Sequence, residues 1–353
     1  LGFFDDETVG VLGMVLFSYL FLRSLDGERP HRLSFLYAIF AGLTLGYVCI
    51  SWGAARYALG VAAIFVVALV LLRRYSTRLL ISYSAVFGVT LLMSVVVPRL
   101  GVGFLLEPVS LAVLGLFGLL FLMEIFQRVN SSRGRLMLGM LFMVAGVAAA
   151  FIFAEKVTVM EAKFIGVINP FARSPLVQSV AEHRPSAWGS FYYDLGIGAF
   201  FLVIGVFFTL QRPSNRNLFF SVFGLTALYS ASSMVRLMVL SAPAFSVLWA
   251  LGLVGVVKPF ITVMKEAPTI PSRRMRLEAH VGKEFGGAFL ILMLLLLTFA
   301  FVFPMPGQSF PRVFVQADSP VTIAAASLPI KPEETTTDWL DALIWMRSNE
   351  SVR

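Results

Sequence analysis

Apolar runs close to the length of a bilayer crossing recur along this chain and leave it little choice of fold. They fall at about 8–22, 33–51, 55–72, 79–97, 103–126, 136–153, 191–210, 217–238, 241–260 and 286–304. A helix needs about 20 apolar residues to cross the hydrocarbon core, so the runs predict ten transmembrane helices. Composition points the same way. Hydrophobic residues make up 58% of the 353, far too many for one soluble domain of that length. The expected class is an all-α polytopic membrane protein.

Charge orients the runs. The chain carries 28 Lys+Arg against 20 Asp+Glu, a net +8. In a soluble protein this surplus would suggest nucleic acid. Here it reads as cytoplasmic-loop charge, and no nucleic-acid partner is expected. One alternate set of loops, near 23–32, 73–78, 128–135, 212–216 and 258–283, holds 17 basic residues; the other, up to the last span, holds six. The first set is therefore assigned to the cytoplasm. The acidic head Asp5-Asp6-Glu7, the long 154–190 loop and the tail after Phe303 fall outside. The single cysteine, Cys49, lies in an apolar run and forms no disulfide within the chain.

The tail changes character. Residues 305–353 carry Pro, Asp, Thr and Ser, with β-branched patches such as Val313-Phe314-Val315. Residues 338–348 read as an amphipathic helix, capped by Asp338, with Trp339, Leu343 and Met346 on one side. Asn349-Glu350-Ser351 fits a glycosylation acceptor, a pattern common by chance. The expected division is a transmembrane domain at 1–304 and the opening of an extracytoplasmic soluble domain at 305–353. The chain begins at Leu1 without a signal-peptide n-region, so it reads as a piece of a longer protein or one trimmed at both ends.

The longest polar interval closes with Ser179-Val180-Ala181-Glu182-His183-Arg184-Pro185-Ser186-Ala187-Trp188, running into Phe191-Tyr192-Tyr193-Asp194. It sets a carboxylate, an imidazole and a guanidinium beside an aromatic belt. A carboxylate at a membrane surface is costly unless water or a ligand reaches it. By residue chemistry alone it is either a ligand site or a solvated loop ending in an interfacial anchor. Arg236, in Ser233-Met234-Val235-Arg236-Leu237-Met238, lies near the outer end of its span among apolar neighbours. It either snorkels to the headgroups or pairs with an anion. Guanidinium suits a phosphate, which it can hold by two parallel bonds. The outer carboxylates Asp5, Glu7 and Glu182 are hard oxygen ligands that suit Mg²⁺ or Mn²⁺ rather than Zn²⁺. No thiol–histidine cluster, Gly-rich phosphate loop or Ser-His-Asp grouping stands out in the sequence. His31 and His280 read as solvated residues of cytoplasmic loops.

At these residues the chain resembles the catalytic subunit of oligosaccharyltransferase, the enzyme of protein N-glycosylation. Ser179-Val180-Ala181-Glu182-His183-Arg184-Pro185 looks like the family's SVSE-type motif with its following His-Gln-Pro, with Ala181 for Ser and Arg184 for Gln. Trp188 and Phe191-Tyr192-Tyr193-Asp194 continue the likeness. Gly2-Phe3-Phe4-Asp5-Asp6-Glu7 resembles the second acidic motif, Asp-x-Glu. Ser51-Trp52-Gly53 and Met234-Val235-Arg236-Leu237-Met238 match two further landmarks in order.

The resemblance implies a lipid-donor, GT-C type glycosyltransferase. Asp5, Glu7 and Glu182 would be catalytic and hold the metal, Mn²⁺ or Mg²⁺. Glu182 would also orient the acceptor asparagine, and Arg236 would contact the donor's phosphate. Partners would be a lipid-linked oligosaccharide on a dolichyl or polyprenyl phosphate or pyrophosphate, an Asn-x-Ser/Thr polypeptide and membrane lipid. The chain would hold the family's last ten spans, with the first acidic motif before Leu1 and the acceptor-reading Trp-Trp-Asp motif after Arg353. This fragment alone would be inactive. The implied setting is an integral membrane protein with an extracytoplasmic site, the archaeal plasma membrane being favoured over the ER. The rival readings are a protein O-mannosyltransferase, a secondary transporter and a purely structural membrane subunit.

Overall fold

A computed structural model gives the fold. It describes residues 6–129, 134, 183–211, 213–265, 283–304, 309–318 and 344–348. The helices are α1 (Asp6–Ser24), α2 (His31–Ser51), α3 (Ala55–Leu71), α4 (Thr77–Val96), α5 (Pro108–Arg128), α6 (Trp188–Leu195), α7 (Gly198–Gln211), α8 (Asn215–Ser233), α9 (Met238–Lys265), α10 (Lys283–Phe301) and α11 (Arg312–Asp318). Two 3₁₀ turns, Val102–Leu106 and Val235–Leu237, precede α5 and α9. No strand occurs among the described residues. Hydrocarbon leaves no water to satisfy a backbone, so each apolar run closes its hydrogen bonds on itself.

Nine of the ten expected spans fall on these helices; 136–153 lies outside the described residues. Among the described residues, six helices are long and apolar enough to cross a membrane, while α3 and α7 are shorter, at 17 and 14 residues. Two boundaries differ from expectation. The run 191–210 is two helices, α6 and α7, divided at Gly196, whose φ of +53° is left-handed. The run 217–238 stops being α-helical after Ser233, so Arg236 sits in a 3₁₀ turn that opens the next apolar span rather than at the end of α8. Val313-Phe314-Val315 belongs to helix α11. Of the expected 338–348 helix, the described part, 344–348, is helical.

In the bundle, α2 packs between α1 and α4, α3 contacts α5 and α8, and α9 contacts α7, α8 and α10. An aromatic chain ties three helices at the centre. Phe21 of α1 meets Phe65 of α3 edge-on at 6.2 Å, and Phe65 meets Phe219 of α8 at 5.2 Å. Elsewhere the seams are made of small residues, as expected where lipid offers no hydrophobic drive between helices. A Cβ on Gly252 would run into the Phe201 carbonyl oxygen, and one on Gly205 into the Leu248 carbonyl. We expect Gly252→Val to force α7 and α9 apart and cost about 1–3 kcal/mol. Thermal unfolding in detergent checks it. Gly60→Ala, where an added Cβ meets nothing within 4 Å, is the control that should not destabilise.

The charged groups gather at two ends. At one, Arg216 bonds Asp26 at 3.1 Å, Arg74 donates to Asn215 Oδ1 at 3.2 Å, and Tyr75 donates to Glu124 at 2.7 Å. These contacts bring together loops near 23–32, 73–78 and 212–216, which the charge pattern had placed on one side. At the opposite ends of the same helices stand Glu7, Arg56, Glu107 and Arg236.

Candidate functional site

Arg236 stands on the 3₁₀ turn Val235–Leu237, and what holds that turn defines the site. Helix α8 ends in Ser230-Ala231-Ser232-Ser233, serines whose hydroxyls compete for helix carbonyls. Met234 is then extended (φ −150°, ψ 126°), which leaves carbonyls near the helix end in need of partners. The 183–187 segment supplies them. Ser186 donates its N–H to Ser232 O at 3.1 Å and its hydroxyl to Ala231 O at 2.5 Å. In return Val235 N–H donates to Arg184 O at 3.0 Å. Two stretches some 50 positions apart are thus stitched backbone to backbone, and Arg236 is the next residue along.

On the other side of Arg236 lies α1. Its first turn carries Asp6 and Glu7, acids that suit the positive end of a helix dipole. Glu7 Oε1 is 4.0 Å from Arg236 Nε, with the Glu7 side chain 17% exposed and that of Arg236 49%. One turn deeper, Gly10 makes room for Trp52; a Cβ there would collide with the indole. Trp52 is buried and caps α2, its N–H donating to Val48 O at 2.8 Å. The Ser51-Trp52-Gly53 landmark is therefore a buttress under the Glu7 turn. Beyond it Arg56 grips Glu107 with both arms, at 2.6 and 2.5 Å, and donates to Gly53 O at 3.1 Å.

Of the four residues singled out in the sequence, the structure brings Glu7 and Arg236 together. Asp5 and Glu182 lie outside the described residues, although Asp5 immediately precedes α1 and Glu182 immediately precedes His183. Among the described residues no three His, Cys, Asp or Glu side chains form a group able to hold a metal. Sequence reasoning missed two things. Glu107 went unremarked because its partner Arg56 is 51 positions away. Ser186 was quoted only as part of a motif, and nothing local marks it as the fastening.

Among the described residues the arrangement sets the Arg236 guanidinium beside the Glu7 carboxylate, at a helix break pinned by a distant loop. The model of the N-terminal part of STT3, oligosaccharyl transferase, matches residues 1–249. The chain belongs to the STT3 oligosaccharyl transferase family. It is 28% identical over 313 residues to the STT3 subunit of the dolichyl-diphosphooligosaccharide–protein glycosyltransferase of Dictyostelium discoideum, which covers 85% of this chain and 42% of that protein. The STT3B subunit of rice is 26% identical over 287 residues, 76% of this chain and 39% of its own. Among solved structures, archaeal oligosaccharyltransferase AglB from Archaeoglobus fulgidus, in complex with an inhibitory peptide and a dolichol-phosphate, superposes with a TM-score of 0.65. That match is 16% identical and covers 99% of this STT3-family chain and 41% of the AglB chain, so it speaks for the fold. The chain thus spans about two fifths of the length of the relatives it matches. Membership sets aside the O-mannosyltransferase and transporter readings.

Proposed function

We propose that this chain carries the donor-side chemistry of an oligosaccharyltransferase, with Glu7 and Arg236 at its centre. An oligosaccharide passes from a dolichyl or polyprenyl phosphate or pyrophosphate to the amide nitrogen of asparagine in Asn-x-Ser/Thr. The nitrogen bonds to the anomeric carbon and gives up one of its two protons, the bond from that carbon to the phosphate oxygen breaks, and the lipid phosphate leaves with the electron pair and can take up that proton. What carries the reading is the Glu7–Arg236 pair at a break held by the segment that follows Glu182.

Each residue has a part. Arg236 stands with half its side-chain surface open and donates to the phosphate oxygens as their charge grows. Glu7 holds the guanidinium toward that position. Asp5 and Glu182 complete a set of carboxylates whose hard oxygens fit Mn²⁺ or Mg²⁺, and Glu182 also orients the acceptor amide. A divalent cation, when bound, supplies positive charge to the leaving phosphate. The site end faces away from the cytoplasm, a reading supported by the basic loops collected at the other end. Residues 305–353, richer in Pro, Asp, Thr and Ser, are read as the opening of an extracytoplasmic soluble domain.

Ion removal tests the cation. Full-length protein treated with EDTA should lose peptide glycosylation, and Mn²⁺ or Mg²⁺ in excess should restore it. Unchanged transfer after exhaustive chelation would remove the cation from the proposal.

A further inference from the structure

At the end of the bundle opposite Arg236, a groove of about 520 Å³ runs between α1, α8 and α9. That is a volume typical of small-ligand sites. Val15, Tyr19, Leu22, Phe220 and Val247 make its walls apolar. Val15 and Tyr19 are 45% and 50% exposed, so the groove opens sideways, toward the bilayer that the apolar runs require.

Its polar rim is cationic. Arg23 and Arg216 line the groove and reach Asp26 at 3.7 and 3.1 Å. Arg29 reaches the same carboxylate at 3.5 Å, and Arg78 donates to the Asp26 carbonyl and, at 2.7 Å, to Ser34 Oγ. The other acid here is Glu28, exposed, whose N–H also donates to Asp26. Four guanidiniums face two carboxylates, a surplus of two positive charges. Burial pushes the Asp26 carboxyl up, but the Glu28 N–H and the Arg216 and Arg29 guanidiniums hold it below its ordinary value. The Tyr19 ring lies 5.2 Å from the Arg23 guanidinium and steadies it at the groove mouth.

We propose that this groove is a binding site for an anionic phospholipid of the leaflet at that end. Its phosphate lies between Arg23 and Arg216, and one hydrocarbon chain lies along Val15, Tyr19, Leu22 and Phe220. The two halves select the same occupant. Guanidiniums bind phosphate by charge-assisted bonds, and the apolar walls reward a chain that a free phosphate lacks. The proposal stands apart from the donor site and does not depend on the transfer reaction.

Native mass spectrometry of the full-length protein in detergent tests it, using phosphatidylglycerol and phosphatidylcholine of matched chains. The wild type should retain phosphatidylglycerol roughly tenfold better. Replacing both arginines (R23Q/R216Q) should weaken retention about fivefold per charge removed. Val15→Trp fills the groove without touching a charge and should abolish the preference while thermal unfolding stays near wild type. It carries the test if the arginine variant does not insert. Equal retention of the two lipids overturns the proposal, as does undiminished retention in Val15→Trp. Displacement of the lipid by millimolar inorganic phosphate would assign the arginines to a free anion and also overturn it.

Discussion

Glu7→Gln should lower the rate of glycan transfer by about 100- to 1,000-fold in the full-length protein, with insertion and folding preserved. The substitution keeps the shape of the side chain at the first turn of α1 and removes its charge. Two consequences add. Glutamine no longer attracts the Arg236 guanidinium now 4.0 Å away, and the carboxylate set loses a ligand. Removing one fixed group that stabilises developing charge costs on this scale in other enzymes. The loss should fall on kcat more than on KM, because the charge develops as the glycosidic bond breaks. Transfer rates at saturating peptide and donor, beside a thermal-unfolding control, check this. A Glu7→Gln protein within threefold of wild type would mean that Glu7 only caps its helix.

Arg236→Ala should cost about tenfold to 100-fold, since one charge-assisted contact is worth about 1.5–3 kcal/mol. Arg236→Lys is the sharper variant. Lysine keeps the charge and the reach to the headgroups but not the planar fork. An arginine that only snorkels would accept lysine with no kinetic change. An arginine that holds phosphate would not, and activity should fall while folding stays intact. Varying the lipid-linked donor at saturating peptide separates the two. Wild-type kinetics in Arg236→Lys would remove the residue from the site.

The broad architecture was legible because its signals are local. A run such as 33–51 is apolar almost throughout and follows the charge at Arg32, and α2 covers it almost residue for residue. Loop charge is also local, and the loops carrying Arg23, Arg74 and Arg216 do meet at one end of the bundle. The breaks were not legible. Gly196 follows Asp194 inside a run otherwise apolar enough to read as one span, and hydropathy does not mark a left-handed turn there. The halt at Met234 depends on partners for the carbonyls of Ala231 and Ser232, and Ser186 lies some 45 positions earlier. At the site, sequence singled out Glu7 and Arg236 but could not show that they touch. Family resemblance named the residues, and only folding put them 4.0 Å apart.

The most direct test is the mass of the product. Full-length protein in membranes, given a dolichyl- or polyprenyl-linked oligosaccharide, is incubated with an Asn-x-Thr peptide and its Gln-x-Thr counterpart. The account predicts a gain of one oligosaccharide mass on the asparagine peptide, located to the asparagine side chain by fragmentation, and none on the glutamine peptide. The same assay with Glu7→Gln should give little or no product. Glycan attached to threonine, equal modification of both peptides, or full product from Glu7→Gln would contradict it.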